Sequence, residues 1–270
     1  MTSTVSTRTV TVDAVTGPVP VTFTERGEGR PFLLLHGGAG PVSVEKFADL
    51  LAGAEPARVI VPLHPGFGGT PRPEGLASIA GLAAVYGQLL EDLDLAGVTV
   101  VGNSIGGWIA AEIALLGRPR VSGVVLVDAA GLKLDAEPAA DFFSLTMDQV
   151  FELSFHNPDP FRFNAATLPP AAQAVAAGNR AAIAVYAGAA MTDPTLAARL
   201  GTLEVPTLVL WGESDGIVDS DYGRAYAAAI PLARFQLLPA TGHNAQMETP
   251  DQVVDAIWGS GDTDFSAFAR

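Results

Sequence analysis

The chain has 270 residues, 49% of them hydrophobic, and no cysteine, so a large core is within reach while disulfides, thiolate catalysis and cysteine-based metal sites are excluded. A formal net charge of −14 argues against nucleic acid or an anionic membrane as a partner, since both demand a basic surface. No stretch approaches the roughly 18 apolar residues of a membrane span and the N-terminus lacks a signal-peptide core, so a soluble cytoplasmic protein is expected.

Thr7 to Val15 alternates polar and apolar residues, Gly17-Pro18 interrupts, and Val19 to Glu25 alternates again, which predicts an antiparallel hairpin at a sheet edge. Pro31 to Leu35 is a continuous apolar strand that ends in the loop His36-Gly37-Gly38-Ala39-Gly40-Pro41. Ser43 is the expected N-cap of a helix that turns Val44, Phe47, Leu50 and Leu51 inward. Arg58 to Pro62 is the next buried strand, and His64 to Thr70 its exit loop. Ser78 should cap a helix with Ile79, Leu82, Tyr86, Leu89 and Leu93 on one face, and Val121 to Asp128 is a further buried strand. From about Leu132 the strand–helix alternation stops. It resumes with the strand Val205 to Trp211, a helix from Asp219 to Ile230, and a last strand from Ala233 to Leu238. Thr249-Pro250-Asp251-Gln252 has the pattern of a capping box with proline at the first helical position, and residues 259–270 read as a frayed tail. Repeated strand–helix units of this kind require a mostly parallel sheet covered on both faces.

The most informative stretch is Val98 to Trp108. Val98 to Val101 is apolar and uncharged, as in a buried parallel strand, whereas Ile105, Trp108, Ile109, Ile113 and Leu116 recur at helical spacing, so the period changes at Ser104. Gly102-x-Ser104-x-Gly106 between them is the pattern of a strand-to-helix turn that strains its central residue and lifts a hydroxyl clear of the sheet. The helix beginning there directs free N–H groups and a positive dipole end at any negative charge formed beside that hydroxyl.

A serine hydroxyl needs an imidazole to take its proton and a third group to fix the imidazole's tautomer. Among four histidines, His243 follows the last strand directly and is the expected base; His36 and His64 lie in earlier exit loops and His156 in the interrupted region. Asp215 follows a buried strand immediately and is the expected acid, with Asp128 as main competitor and Glu213 and Asp219 as weaker ones. The oxyanion donors expected are the backbone N–H of Ile105 and that of Gly38, with Ala39 as alternative. A dinucleotide site at Gly38-x-Gly40 is rejected because Ser43 occupies the third glycine's place.

Taken together, His36-Gly37-Gly38, Pro65-Gly-Phe-Gly68, Gly102-Asn-Ser-Ile-Gly-Gly107, Trp211-Gly-Glu-Ser-Asp215 and Gly242-His243 resemble an α/β-hydrolase-fold serine hydrolase over most of residues 7–258. The resemblance implies an eight-stranded, mostly parallel sheet flanked by helices, roles for Ser104, Asp215 and His243 that agree with those above, and no cofactor or metal. Two departures stand out. His64 occupies a place where many relatives carry an acid, and Asn244 follows the histidine where ring-fission-product hydrolases carry an aromatic residue.

By the same resemblance, residues 1–131 and 200–270 form the core and residues 132–199 a helical cap. Phe142, Phe143, Phe151, Phe155, Phe161 and Phe163 crowd one part of it, and Arg162 and Arg180 are the only basic residues between Lys133 and Arg199, which favours a small apolar ester-like substrate over a sugar or phosphate. Expected pocket residues are His36, Asn103, Trp108, Phe151 and Phe155, though clustered phenylalanines also serve as a cap's own core. The leading expectation is hydrolysis of a carboxylic ester or lactone through an acyl-enzyme. Carbon–carbon bond hydrolysis of a ring-fission product, and cofactor-free perhydrolysis or acyl transfer, are alternatives from the same site; a binding module that has lost its triad is disfavoured because no triad position is missing. No oligomeric state is implied.

Overall fold

The structure, a computed structural model, describes residues 4–134 and 140–259. All but the first residue of the expected tail therefore lies outside the described residues. The expected strands form an eight-stranded sheet: β1 (Ser6–Ala14), β2 (Gly17–Arg26), β3 (Arg30–Leu35), β4 (Ala57–Pro62), β5 (Val98–Asn103), β6 (Val121–Val127), β9 (Thr207–Gly212) and β10 (Ala233–Leu238). Their spatial order is β1-β2-β4-β3-β5-β6-β9-β10, with β1 and β2 antiparallel at one edge and every pair from β4 to β10 parallel.

Strand alternation divides the core between the sheet's two faces. Leu33, Val100, Val124 and Val209 pack with Leu82 and Tyr86 of α2 (Ile79–Asp92), Ile109 and Ile113 of α3 (Ile105–Leu115), and Tyr222 and Tyr226 of α7 (Ser220–Ala228). Phe32, Leu34, Val101, Val125 and Leu208 pack on the other face with Phe47 and Leu51 of α1 (Val42–Ala54) and Val253 and Ile257 of the helix Pro250–Trp258. Each central strand is thus buried on both faces, which is why those stretches read as unbroken apolar runs.

Two helix starts differ from the expected ones. Ser43 does not cap α1: Pro41 holds that position, and the Ser43 hydroxyl lies buried in the first turn, donating to the Gly40 carbonyl at 2.7 Å. Thr249 precedes Pro250 but forms no capping box, because its Oγ1 pairs with Thr241 Oγ1 at 2.8 Å and Gln252 donates instead to the Pro239 carbonyl at 3.2 Å. By contrast Ser78 caps α2 as expected, accepting from Gly81 N at 3.0 Å.

Between β6 and β9 the chain makes β7 (Gly131–Leu132), α4 (Met147–Ser154), two 3₁₀ turns, α5 (Pro170–Ala187), β8 (Thr192–Asp193) and α6 (Leu196–Leu200). β7 pairs with β8, so this excursion leaves and returns at one place. The expected boundary after residue 199 falls inside α6, where Arg199 clasps the buried Glu112 of α3 through two bonds of 2.6 Å. No helix among the described residues is long and apolar enough to cross a membrane.

Candidate active site

The strand order brings the carboxyl ends of β3, β5, β6, β9 and β10 side by side, and their exits carry the His36–Pro41 loop, Ser104, Asp128, Asp215 and His243 in that order. Ser104 sits at φ 56°, ψ −121°, a strained conformation for a residue with a Cβ, held by Ser104 N donating to the Val127 carbonyl and by its own carbonyl accepting from Trp108 N and Ala130 N. The turn is possible only with glycine at both flanks, since a Cβ on Gly102 would overlap the Gly106 carbonyl and one on Gly106 would overlap the Leu35 carbonyl.

His243 Nδ1 donates to Asp215 Oδ2 at 2.8 Å. The other Asp215 oxygen, Oδ1, accepts from Ile217 N at 2.8 Å and Val218 N at 3.1 Å, which leaves the carboxylate one orientation. With Nδ1 committed as donor, His243 Nε2 is the basic nitrogen, and Ser104 and His243 line one cavity. Asp128, the expected competitor, is fully buried beside this pair, its Oδ1 accepting from Gly212 N at 2.7 Å. Glu213 instead accepts from Ala240 N, and Asp219 caps α7.

Gly38, Ala39 and Ile105 line the same cavity as Ser104. A Cβ on Gly37 would come within 2.8 Å of Asn103 Oδ1, so this loop lies directly against the turn that carries Ser104. Behind the loop, two buried histidines, His36 and His64, lie with ring centres 3.8 Å apart and planes tilted by 35°. His36 Nδ1 donates to the Gly37 carbonyl at 2.8 Å; His64 Nε2 donates to the His36 carbonyl at 3.0 Å and His64 Nδ1 accepts the Tyr86 hydroxyl at 2.6 Å. Burial holds the His36 imidazole down at about 4 and, with the neighbouring His36, holds His64 well below the ordinary range. Both rings are therefore neutral supports of the loop. Unfolding frees them to take protons below pH 6.5, so the urea midpoint should fall as pH drops from about 6.5 to 4, each histidine contributing up to about 1.4 kcal/mol per pH unit. A midpoint that is flat across that window would contradict the assignment.

The cavity measures about 360 Å³. Phe151 and Phe155 line it as expected, together with Phe142, Phe161 and Phe163, whereas Phe143 does not. Phe155 stacks on Phe161 at 4.1 Å and Phe151 meets Phe163 edge-on at 5.2 Å, so the cluster serves as packing and lining at once. Asn103 reaches the cavity, yet its Nδ2 is bound to the His243 carbonyl at 2.9 Å. Two expected pocket residues do not line it. His36 is fully buried behind the loop, and Trp108 packs under Gly131 with Nε1 aimed at Glu112. His36 lies on the inner side of its loop and Trp108 on the inner side of α3, which spacing alone does not distinguish from the cavity side.

Several residues that tie the excursion to this edge were missed in the sequence. Asn179 Oδ1 of α5 accepts from Gly68 N at 2.9 Å, Tyr186 of α5 donates to the Pro65 carbonyl at 2.8 Å, and Ile183 packs over Gly38. Glu248 accepts from Gly242 N, His156 N and Asn157 N, joining the His243 loop to the end of α4. Asn179 leaves a faint trace as a polar residue on the buried face of a helix; Glu248 leaves none, because its donors come from two separate loops, one of them about ninety positions away.

The profile of the family described as "Alpha/beta hydrolase family" matches residues 32–256. Among curated relatives, a 2-hydroxy-6-oxononadienedioate/2-hydroxy-6-oxononatrienedioate hydrolase of Cupriavidus pinatubonensis is 28% identical over 244 residues, covering 83% of this chain and 84% of that protein. A 2-hydroxy-6-oxo-6-(2'-aminophenyl)hexa-2,4-dienoic acid hydrolase of Metapseudomonas resinovorans is 26% identical, covering 89% and 87%. Among solved structures, a thermophilic esterase from Thermogutta terrifontis superposes with a TM-score of 0.75 at 26% identity, over 94% of this chain and 97% of that one. The chain belongs to the alpha/beta hydrolase family and is a hydrolase.

Proposed function

We propose that the protein is a serine hydrolase that cleaves carboxylic esters or lactones with an apolar acyl or alkyl group. The observation that carries this reading is the strained Ser104 sharing an apolar cavity with His243, whose Nδ1 is held by Asp215 at 2.8 Å. Ser104 Oγ attacks the substrate carbonyl carbon while His243 Nε2 takes its proton. The oxyanion is met by the N–H of Ile105 and of Gly38 or Ala39, each donor typically worth on the order of 10²- to 10³-fold in rate. Collapse of the adduct expels the alcohol, which leaves with the proton from His243. Water then attacks the acyl carbon, its proton passing to His243 and back to Ser104 as the acid departs.

Residues 132–199 act as the cap, and its phenylalanines set chain-length preference. Phe151→Ala and Phe155→Ala should raise KM severalfold for longer apolar esters and leave the shortest nearly as before. Chain-length profiles and melting curves on the same two variants check this: a loss confined to stability, about 3–5 kcal/mol for a buried Phe→Ala, would remove the lining role.

Carbon–carbon bond hydrolysis of a ring-fission product is the second reading, favoured by one feature. Arg180 is the only formally charged side chain among the described residues lining the cavity, and it would suit a dienoate carboxylate. Its Nη2 already donates to the Phe142 and Phe143 carbonyls, at 3.1 and 2.9 Å, and its guanidinium lies over both rings, so it stands close to the phenylalanine wall. A panel of p-nitrophenyl esters assayed beside a coloured dienoate, with fluorophosphonate labelling to report a live serine, tests both. Higher kcat/KM on the esters supports the first reading and higher kcat/KM on the dienoate the second.

A further inference from the structure

Asp128 is a buried acid that the proposed mechanism does not use. It leaves β6, the strand between those that end at Ser104 and Asp215, and it does so with φ 48°, a backbone state that costs a non-glycine residue free energy and persists only where the surroundings enforce it. Its relative exposure is 0%. Oδ1 accepts the Gly212 N–H, whereas Oδ2 is buried without a hydrogen-bond partner, and the Asp215 carboxylate and the Ala245 amide lie beside the Asp128 carboxyl. Two acceptors cannot satisfy each other without a hydrogen between them. Asp215 already receives three donors, from Ile217 N, Val218 N and His243 Nδ1, so the oxygen that lacks a partner is the one that carries the proton.

We propose that Asp128 is a neutral carboxylic acid donating through Oδ2 to the Asp215 carboxylate, a positioning residue that holds the acid of the triad in place for His243. This rests on the serine-hydrolase reading above. The proton stays on Asp128 throughout turnover; only Ser104, His243, substrate and water exchange protons. The pair then carries one negative charge, not two, and when His243 becomes an imidazolium that charge lies on the carboxylate touching it. The groups facing Asp128 are the Gly212 and Ala245 amides and the Asp215 carboxylate. Burial, followed by the charge of Asp215, pushes the Asp128 carboxyl well above the usual carboxylate range, against the smaller opposing pull of the two amides.

An acid that stays protonated when folded releases its proton on unfolding above about pH 4, so it lowers stability progressively as pH rises from there toward its folded pKa. Asparagine has no such proton and keeps an N–H donor toward Asp215. The melting temperature of Asp128→Asn relative to the parent should therefore climb between pH 5 and 7, a difference in which the histidine contributions cancel. A constant difference would overturn the proposal. In kinetics, Asp128→Leu, which removes the donor, should lower kcat on the order of 10- to 100-fold at nearly constant KM, as for losing a hydrogen bond to a charged group, whereas Asp128→Asn should keep more than a tenth of parental kcat. An Asn variant as inactive as Asp215→Asn would instead make Asp128 an ionised acid of the triad and end the proposal. The melting comparison needs neither the Leu variant nor any activity. A failed hydrolase reading would show separately, as a Ser104→Ala protein that still turns over.

Discussion

Ser104→Ala should fold as the parent does and lose turnover by on the order of 10⁴- to 10⁶-fold on the best ester. Folding should survive because what holds the turn is backbone: Ser104 N on the Val127 carbonyl, and the Ser104 carbonyl on Trp108 N and Ala130 N. Alanine keeps all three bonds and carries the same Cβ at φ 56°. Catalysis should not survive, because without Oγ His243 has no proton to take and Asp215 nothing to support, and members of such a unit fail together. The residual rate then comes from the oxyanion donors and from binding alone. Melting curves beside initial rates decide the matter. A variant with unchanged melting that retained more than a tenth of the activity would remove the serine mechanism.

Asp215→Asn should be nearly as damaging, on the order of 10⁴-fold in kcat, for a reason that follows from the local geometry. Oδ1 is fixed by two backbone donors, Ile217 N and Val218 N, so the asparagine oxygen must take that place and its NH₂ group must face His243 Nδ1. Nδ1 becomes an acceptor, the ring proton moves to Nε2, and Nε2 can no longer receive the serine proton. Substrate binding does not depend on that tautomer, so KM should move little. Steady-state kinetics reads the split; a loss below tenfold in kcat would transfer the acid role elsewhere, with Asp128 next in line.

The alternation of β1 and β2, the unbroken runs of β3 to β6 and the change of period at Ser104 were legible because each is decided by residues within one or two turns of each other. The Gly102-Ser104-Gly106 turn is the clearest case: its steric demand is met within five positions, and the structure places it as the spacing predicts. The caps at Ser43 and Thr249 differ from expectation for another reason: each hydroxyl has a nearby alternative to the helix N–H groups, the Gly40 carbonyl for Ser43 and Thr241 Oγ1 for Thr249.

Sequence by itself thus determined the strands, most helices, the positions of Ser104 and His243 at one sheet edge, and the clustering of six phenylalanines within residues 142–163, since these follow from sterics, periodicity and composition along the chain. Only the tertiary structure decided that His243 meets Asp215 while Asp128 lies behind it, that His36 supports a loop from within and leaves the cavity wall to Phe151 and Phe155, and that Asn179 and Glu248 stitch the excursion to the sheet. Those outcomes depend on strand order and on contacts between residues far apart in sequence, such as Asn103 with His243, 140 positions away. Closing such distances costs chain entropy that no local pattern records, and it is the burial of both sheet faces that repays it.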